Sequence, residues 1–419
     1  MATVLVCGCE CGFISSGSPG GHWISTGANP ATFSTSIKRS GLRSLQISST
    51  ANQCTASLGS GSFSGTVCVV REYIYFQSMP LVDTFVFGVG PVTVPYLGLV
   101  YKVSDGKVYA GSHNGSGTVT VDGVTGVSVT TGNFYRIDMR VNVAADPRTV
   151  EIKVDNSDLG STNVSGAAST IDVLSAGTPA LNGTYAMNVD DIAVSLTSGD
   201  YPLGAGYVIS YIPNADGTHN VAGAADFKHG TGTTPAGTDI TNATTTAWQN
   251  IDKRPLVTSL AGAETLINMI APPNATDYVE IRFEQSVEPS PPRAVEVIIG
   301  INQAATGAGN MEVRLNDNGT MGTIYTATGV AGVAIATGVV FKRAHFADPP
   351  SAASAWVLGG AGNGDFNDLR IRFGSPAAVD ANPDQYLGEV MLEAEYAEIF
   401  SATRKPIIIN QARARAAVR

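Results

Sequence analysis

The stretch FYRIDMRVNVAADPRTVEIKVD, residues 134–155, decides the fold. Hydrophobic and polar side chains alternate strictly on either side of residues 144–148, which is the period-2 pattern of strands with one buried face. Asp146 and Pro147 favour a turn between them, because proline fixes φ and removes a backbone donor. The stretch therefore predicts an antiparallel hairpin whose dry face a second sheet must cover. The inward positions are Tyr135, Ile137, Met139, Val141, Val143, Val150, Ile152 and Val154.

The composition of the whole chain is typical of many short strands. Of the 419 residues, 47 are glycine, 43% are hydrophobic and only 14% are charged. Such a chain favours strands joined by tight turns over helices, which need leucine, glutamate, lysine and alanine in 3.6-residue register. Only residues 264–270 and 350–356 are helix candidates. We predict an all-β protein of two antiparallel β-sandwich (jelly-roll) domains with an extended C-terminal arm.

The domain boundary is expected in a stretch rich in glycine, serine and proline, residues 197–206. A second set of alternating segments follows it, with inward positions such as Val279, Ile299 and Phe373. We therefore place a first sandwich at 1–200, a second sandwich at 201–400 and an extended basic arm at 401–419. The polar stretch 214–246 is expected to be an exposed excursion.

The net charge excludes some partners. The chain carries −10, and because the arm contributes five positive charges and no acid, the body up to Phe400 carries −15. Such a body repels phosphate backbones, so we expect no nucleic-acid partner. No stretch has the ~20 consecutive apolar residues that span a bilayer, so no membrane partner is expected. The apolar start lacks a basic region and is expected to form the first strand rather than a signal peptide.

The cysteines suggest two interpretations. Three of them occupy every second position of the expected first strand and would share one face. A thiolate metal site is one hypothesis, and small buried apolar side chains are the other. We favour burial because the spacing lacks the turn that zinc sites use, although free, bridged and metal-bound states all stay open. The residues are Cys7, Cys9, Cys11, Cys54 and Cys68.

Several short motifs occur in a characteristic order. They are Glu10-Cys11-Gly12-Phe13, the hairpin, Asp190-Asp191-Ile192, Pro213-Asn214-Ala215-Asp216-Gly217-Thr218, Asp348-Pro349, Trp356 and Leu369-Arg370-Ile371-Arg372-Phe373. In this order, and over most of residues 1–400, the chain resembles tailed-bacteriophage virion proteins with laminin-G/concanavalin-like jelly rolls. The opening Cys-x-Cys-x-Cys departs from that family's pattern.

The resemblance implies a non-enzymatic structural component of a tailed-phage virion that decorates the capsid or forms part of the tail. It would be made in the host cytoplasm and would bind other virion proteins as a homo-oligomer, for example a trimer. The alternative is a carbohydrate-binding adhesin or receptor-binding protein on the virion surface, because concanavalin-like sandwiches often present sugar sites on loops. For each aromatic side chain available for stacking on a host-surface glycan, a place in the core or at an interface is the interpretation that we favour. These side chains are Trp23, Tyr73, Tyr75, Trp248 and Trp356.

We predict no catalytic, cofactor or metal site. Asp190 and Asp191 are adjacent, so on a strand they would point to opposite faces and could not work as an acid and base pair. One of them is expected to cap a turn. Residues 365–368 and 316–318 could hold calcium through oxygen ligands, but their turn roles suffice without it and are the interpretation that we favour. A glycan hydrolase is a third hypothesis, which requires two carboxylates facing each other across a cleft. The histidines His22, His113, His219, His229 and His345 show no metal spacing.

The candidate site residues lie in the C-terminal arm. Its three consecutive isoleucines follow Pro406 and are too few to form a core. They suit an extended segment that adds to the edge of a neighbouring subunit's sheet, and the alternative is a disordered basic tail. The assembly residues are Arg404, Lys405, Ile407, Ile408, Ile409, Arg413, Arg415 and Arg419.

Overall fold

The structure of the protein is a computed structural model. It describes residues 3–9, 14–15, 23–26, 31–49, 55–58, 63–91, 96–114, 118–177, 184–222, 226–231, 238–252, 265–269, 276–303, 311–327, 340–351, 355–359, 362–375 and 385–398. The assembly arm, Cys11, Cys54 and the motif at residues 10–13 lie outside these ranges. The described residues form strands and three short 3-10 helices, with no α-helix among them, so the all-β prediction is confirmed.

The chain forms two compact units. Unit 1 contains residues 3–209 together with Ala397 and Glu398, and unit 2 contains Ser210–Tyr396. The strands up to the end of the closing strand are β1 (Thr3–Cys7), β2 (Ile14–Ser15), β3 (Trp23–Thr26), β4 (Thr32–Ser34), β5 (Ser44–Ser49), β6 (Thr55–Leu58), β7 (Val67–Ser78), β8 (Thr84–Gly90), β9 (Tyr96–Lys102), β10 (Lys107–His113), β11 (Val119–Val121), β12 (Val127–Ser128), β13 (Phe134–Asn142), β14 (Arg148–Val154), β15 (Ser157–Val164), β16 (Val173–Ala176) and β17 (Tyr185–Ser195).

Two sheets build unit 1. One has the order β15-β14-β13-β7-β17-β5-β4, with β1 also paired to β17, and the other has the order β11-β10-β9-β8-β16-β6-β3-β2, with β12 on β10. Pairing is antiparallel except between β2 and β3. One hydrophobic cluster joins the sheets, with Ile74 and Met139 from the first and Phe87 and Leu174 from the second. Unit 1 is therefore a sandwich closed around one core.

The predicted hairpin is confirmed. β13 and β14 pair antiparallel, with Met139 opposite Ile152 and Val141 opposite Val150. The inward side chains Ile137, Met139 and Val141 are buried in the core of unit 1. The prediction of a wet outer face is wrong for Asp138, which is fully buried.

The segment 201–204 covers that outer face. The Gly204 N–H donates to Asp138 Oδ1 at 3.0 Å, and Leu203 packs against Val69 and Ala193. Arg140 lies over the ring of Tyr201, 5.0 Å from its centroid. Both faces of the first sheet are thus buried near β13, because a segment distant in sequence folds back on it.

The adjacent acids are also placed differently from the prediction. A β-bulge interrupts the β7–β17 register between Asp190 and Ala193, and Asp191 has a positive φ of 51°. This irregularity lets both carboxylates accept hydrogen bonds from Arg39, which lies in the turn after β4. Asp190 accepts the backbone N–H of Arg39 at 2.8 Å. Asp191 accepts from Arg39 Nη1 and from the Val208 N–H, at 2.8 and 2.7 Å. The expectation that the two side chains point to opposite faces is therefore wrong, since it assumed a regular strand.

The remaining elements are β18 (Gly206–Tyr211), β19 (Pro213–Asp216), β20 (Phe227–Thr231), β21 (Thr238–Asp239), β22 (Thr265–Met269), β23 (Tyr278–Phe283), β24 (Ala294–Gln303), β25 (Met311–Asp317), β26 (Thr320–Ala327), β27 (Val340–Phe346), β28 (Arg370–Gly374), β29 (Gln385–Ala397) and the 3-10 helices η1 (Ser198–Asp200), η2 (Ala247–Asn250) and η3 (Phe366–Asp368). In unit 2 one sheet has the order β21-β20-β22-β29-β24-β27, and a five-stranded sheet has the order β19-β23-β28-β25-β26. The inward positions Val279, Ile299 and Phe373 are buried as predicted. Phe227 and Phe373 meet edge to face, with ring centroids 6.1 Å apart, and join the two sheets.

Two local predictions in unit 2 are wrong. The helix candidate at 264–270 contains the strand β22, which pairs with β29, because the pairing partner overrides a short ambiguous apolar pattern. The stretch 214–246 is not an exposed excursion, since it contains β19 and β20, and Phe227 is fully buried. Within the candidate 350–356, the described residues are not helical.

The cysteines that the structure describes are packed in unit 1. Strand β1 ends at Cys7, and Cys9 adopts a positive φ of 59°, so the single extended strand expected for three cysteines is wrong. Cys7, Cys9 and Cys68 are all fully buried in the core, which is the packing that we favoured. Among the described residues, no group of three or more potential ligands could hold a metal ion, and no helix there has the length and apolarity needed to cross a membrane.

Candidate functional site

A grid of polar side chains covers one face of the five-stranded sheet in unit 2. Alternate residues of β28 lie at its centre, and each has one neighbour on β23 and one on β25. Arg372 lies between Glu280 and Arg314, and Gly374 lies between Tyr278 and Glu312. The opposite face carries the core residues of the same strands, so period-2 alternation separates the core from this polar face.

Glu280 is the buried acid that holds the arginines of the grid in position. Its side chain is fully buried, and its carboxylate accepts from Arg372 Nε at 2.6 Å and Arg370 Nη1 at 3.0 Å. Asn316 Nδ2 and the Thr218 N–H also donate to it, at 2.7 and 3.0 Å. Burial alone would raise the pKa of Glu280, but the hydrogen bonds from Arg372, Thr218 and Asn316 lower it below its ordinary value. The ionised carboxylate therefore fixes the positions of Arg370 and Arg372.

The grid contains a cleft of about 300 Å³. Its floor lies near Gly374, where a Cβ would come within 2.6 Å of the Asp277 carbonyl oxygen, so only glycine fits. The guanidinium of Arg372 lies over the ring of Tyr278, 4.1 Å from the centroid, in a cation–π contact. The lining residues are Asn220, Thr276, Asp277, Tyr278, Glu312, Arg314, Met321, Arg372, Gly374 and Ser375.

The positive and negative side chains that line the cleft are equal in number. Arg314 Nη2 forms an ion pair with Glu312 Oε1, and their side chains are 40% and 14% exposed. With Arg372 and Asp277, the lining holds two arginines and two acids. Both donors and acceptors therefore line this small space, and the arginines are already oriented by their partners.

The segment 217–220, which follows β19 and which we call the rim, contributes Asn220 to the lining of the cleft. Asn220 bridges Tyr278 in both directions, with N–O distances of 3.0 and 2.8 Å. A Cβ at Gly217 would come within 2.5 Å of Glu280 Oε1, so this glycine permits the close approach to the buried carboxylate. Asp216 accepts from the N–H groups of Ala247 and Trp248 at 2.9 and 2.8 Å, which fixes the start of η2.

The aromatic residues proposed for sugar stacking do not meet in this cleft. Trp23, Tyr73 and Trp356 are buried, at 0%, 5% and 2% exposure, which is the interpretation that we favoured, so they present no ring faces to a glycan. Tyr75 is half-buried and packs 5.1 Å from Phe134. Trp23 and Tyr73 lie on the strands β3 and β7, whereas Trp356 lies outside the strands and packs edge to face on Phe366, with ring centroids 6.4 Å apart.

The residues considered for calcium bind backbone N–H groups instead. Asp365 Oδ1 accepts from Gly359 and Asn367, both at 3.0 Å. Asp317 accepts from Gly364 and Ser351, at 2.9 and 3.1 Å. Their carboxylates therefore fix turns, which is the role that we favoured from the sequence.

The sequence contained a signal for the cleft that the prediction did not use. In Leu369-Arg370-Ile371-Arg372-Phe373 the arginines alternate with the core residues, so they share the outer face of β28. Tyr278 and Glu280 share the outer face of β23 in the same way. The pattern shows which residues face outward, whereas the pairing of β23 and β25 with β28 required the structure.

Comparison with protein-family models and with curated proteins gives no match. Some solved structures align with this chain at low identity. A sialidase is 11% identical, and the alignment covers 42% of this chain but only 17% of that protein, with a TM-score of 0.31. The carbohydrate-binding module CBM66 from Bacillus subtilis is 12% identical, with 42% and 96% covered and a TM-score of 0.30. The tandem CBM22 domains of Paenibacillus barcinonensis Xyn10C are 13% identical, with 94% and 98% covered and a TM-score of 0.26. At these identities and scores, the likeness assigns no function to this chain.

Proposed function

We propose that the protein is a non-enzymatic carbohydrate-binding protein and that the cleft of unit 2 holds the saccharide. The observation that carries this proposal is the pair of oriented arginines and acids around the tyrosine ring of a cleft of about 300 Å³. That volume lies at the lower end of small-ligand pockets, roughly 300–1,000 Å³.

Sugar chemistry matches the cleft. Each hydroxyl group of a sugar is both a donor and an acceptor, so it can bridge an arginine and a carboxylate such as Arg314 and Glu312. The balanced charges of the lining favour a ligand without high charge. The edge of the Tyr278 ring adds apolar contact for the C–H groups of a sugar.

A glycan array and a matched pair of variants test this function. Arg314→Gln removes the most exposed guanidinium of the cleft but keeps a polar side chain. Arg140→Gln is the control, because Arg140 forms a similar cross-strand pair with Glu151, with side chains 30% and 26% exposed. We expect saccharide hits with the unmodified protein, and a loss of about tenfold in affinity for the best hit with Arg314→Gln only, which equals about 1.4 kcal/mol.

Three outcomes would contradict the proposal. They are an array without hits, equal losses in Arg314→Gln and Arg140→Gln, and release of reducing ends from a bound polysaccharide. The last outcome would identify a hydrolase, which needs a pair of carboxylates across the cleft.

As a second proposal, the protein is a component of a tailed-phage particle. The order of its motifs supports this assignment, and two of them have definite roles within their units, since Asp191 and Asp216 each fix backbone N–H groups. Mass spectrometry of purified particles tests it, with the chain expected among the virion proteins. Its absence from the particles would refute the virion assignment and leave the cleft proposal standing.

A further inference from the structure

Two arginines of the cleft present hydrogen-bond donors side by side. Arg372 and Arg314 are opposite each other on β28 and β25, so their Cβ atoms lie about 5 Å apart. Arg372 donates from Nε to Glu280, and Arg314 pairs through Nη2 with a carboxylate. Among the described residues, neither Nη atom of Arg372 has a hydrogen-bond partner, and the buried Nε atom of Arg314 has none. A ligand that displaces water from these groups must therefore offer them an acceptor.

Free acceptor oxygens line the same cleft. The Oε1 atom of Glu312 pairs with Arg314 and accepts from Thr326 Oγ1 at 3.5 Å, whereas Oε2 has no partner in the part of the chain that the structure describes. Asn220 donates from Nδ2 to the Thr276 carbonyl at 2.7 Å, and its Oδ1 atom likewise has no partner there. The cleft can therefore also accept a hydrogen bond from an N–H group of the ligand.

Met321 adds an apolar surface to this polar lining. It lies on β26 opposite Asn316, next to the strand that carries Arg314, and it is half-buried. Its flexible thioether side chain packs against alkyl groups of varied shape. A methyl group of the ligand would cover this surface, whereas hydroxyl groups would not.

The charges of the cleft disfavour an anionic acceptor. Arg372 is paired with Glu280, and Arg314 is paired with Glu312. The lining includes a further acid, Asp277. A carboxylate on the ligand would therefore lose its hydration in a cleft that has no excess of positive charge. An uncharged carbonyl oxygen is the acceptor that fits these arginines.

We infer that the cleft recognises the acetamido group of an N-acetylated saccharide, an inference that rests on the proposed function. The carbonyl oxygen of the group has two lone pairs, so it accepts from both Arg372 and Arg314. The amide N–H donates to the free oxygen of Glu312, and the methyl group contacts Met321. An acetamido group thus combines, within one short unit, the acceptor, the donor and the apolar surface that the lining calls for.

Matched saccharides that differ in one group test this preference. The probes are trisaccharides of N-acetylglucosamine, of glucose and of glucuronate with the same linkage, the corresponding three in the galactose series, and O-acetylated forms of the two neutral sugars. Calorimetry at one pH and one salt concentration measures each affinity. In the series that binds, we expect the N-acetylated form to bind about tenfold or more tighter than the form with a hydroxyl group. The O-acetylated form, which lacks the N–H donor, should bind more weakly than the N-acetylated one.

Two substitutions of Met321 test the methyl contact. Met321→Gln keeps the length of the side chain but replaces its apolar end with a polar group, so we expect it to lower the preference for the acetamido form by about fivefold. Met321→Leu is the control, because it conserves volume and apolar character and should keep the preference. Circular dichroism and thermal melting of both variants check that they fold like the unmodified chain.

The outcomes separate this inference from the proposed function. Equal affinity for the acetamido and hydroxyl forms would overturn the inference and leave the carbohydrate-binding proposal standing. Tighter binding of the glucuronate, galacturonate or O-acetylated form would overturn it as well, as would an unchanged acetamido preference in Met321→Gln. Failure of every saccharide to bind would refute both proposals.

Discussion

Glu72 shows how one residue can set the pH dependence of a whole unit. It lies on β7 opposite Ile137, on the strand face that Val70 and Ile74 direct into the core. Its side chain is fully buried, and among the described residues neither carboxylate oxygen has a hydrogen-bond partner. Burial raises the pKa of Glu72 well above its ordinary value, the charge of Asp138 raises it further, and Arg71 lowers it only in part.

The sign of the effect follows from this raised pKa. The folded chain holds the proton more tightly than the unfolded chain, so stability is complete below the unfolded value of about 4.3 and is lost as the pH rises through the folded pKa. We expect Glu72→Gln to remove this loss and to exceed the unmodified protein in free energy of unfolding at about pH 8 by more than about 1 kcal/mol. Urea unfolding of both proteins at about pH 5 and about pH 8 measures this difference in the free energy of unfolding.

A surface acid provides the comparison for this prediction. Glu151 is 26% exposed and pairs with Arg140, so Glu151→Gln should change the free energy of unfolding by no more than about 1 kcal/mol at either pH. If Glu72→Gln and the unmodified chain showed the same pH dependence, the pKa of Glu72 would not differ between the folded and unfolded chains, which would contradict the prediction.

At the scale of elements, alternation predicted the strands but not what covers them. The pattern of residues 134–155 correctly places Ile137 and Met139 in the core. It also predicted that Asp138 is exposed to water. A period of 2 shows that the two faces of a strand differ in polarity, but it does not show whether a second segment covers the polar face. The covering segment 201–204 is more than 60 residues away, about half of a usual domain length, and nothing in its own sequence indicates that it packs there.

The same limit applies to the candidate site. Its residues come from three strands and a rim, and Asn220, Arg314 and Arg372 are far apart in sequence. Each strand could be predicted from its apolar residues, and the outward direction of Arg372 follows from them. The order β23-β28-β25, which brings Tyr278 beside Arg372, depends on long-range pairing that a single sequence does not encode in any local pattern.

The covering segment makes a testable contribution to unit 1. Leu203 is 1% exposed and packs against Val69 and Ala193. We expect Leu203→Ala to lower the free energy of unfolding by about 2–3 kcal/mol, because it removes buried methyl groups and leaves a cavity. Differential scanning calorimetry should show this as a lower melting temperature for the transition of unit 1.

A second leucine of unit 1 is the matched control. Leu81 is 69% exposed, so Leu81→Ala should change stability by less than about 0.5 kcal/mol. Equal melting temperatures for Leu203→Ala and Leu81→Ala would show that the segment 201–204 does not contribute to the stability of unit 1.

At the scale of the molecule, the end of the described chain returns to unit 1. Glu398 Oε2 pairs with Arg39 Nη2 at 2.6 Å, and the Glu398 N–H donates to Ala205 at 3.3 Å. Burial alone would lower the pKa of Arg39, but the charges of Asp191 and Glu398 raise it above its ordinary value. Arg39 therefore joins the turn after β4, the bulge of β17 and the residues that precede the C-terminal arm.

Because Glu398 precedes the C-terminal arm, the folding of unit 1 and the role of the arm in assembly can be tested separately. Removing residues 401–419 keeps Glu398 and its contacts, so we expect truncation after Phe400 to leave melting nearly unchanged. The removed segment carries five basic residues and Ile407, Ile408 and Ile409, against a body of charge −15. Docking these isoleucines on a neighbouring subunit would contribute on the order of 5 kcal/mol to the free energy of association, before the cost of ordering the arm. This free energy strengthens an interface but does not hold the subunits together on its own. The truncated chain should therefore self-associate more weakly in sedimentation equilibrium, and association equal to that of the full chain would show that the arm is dispensable.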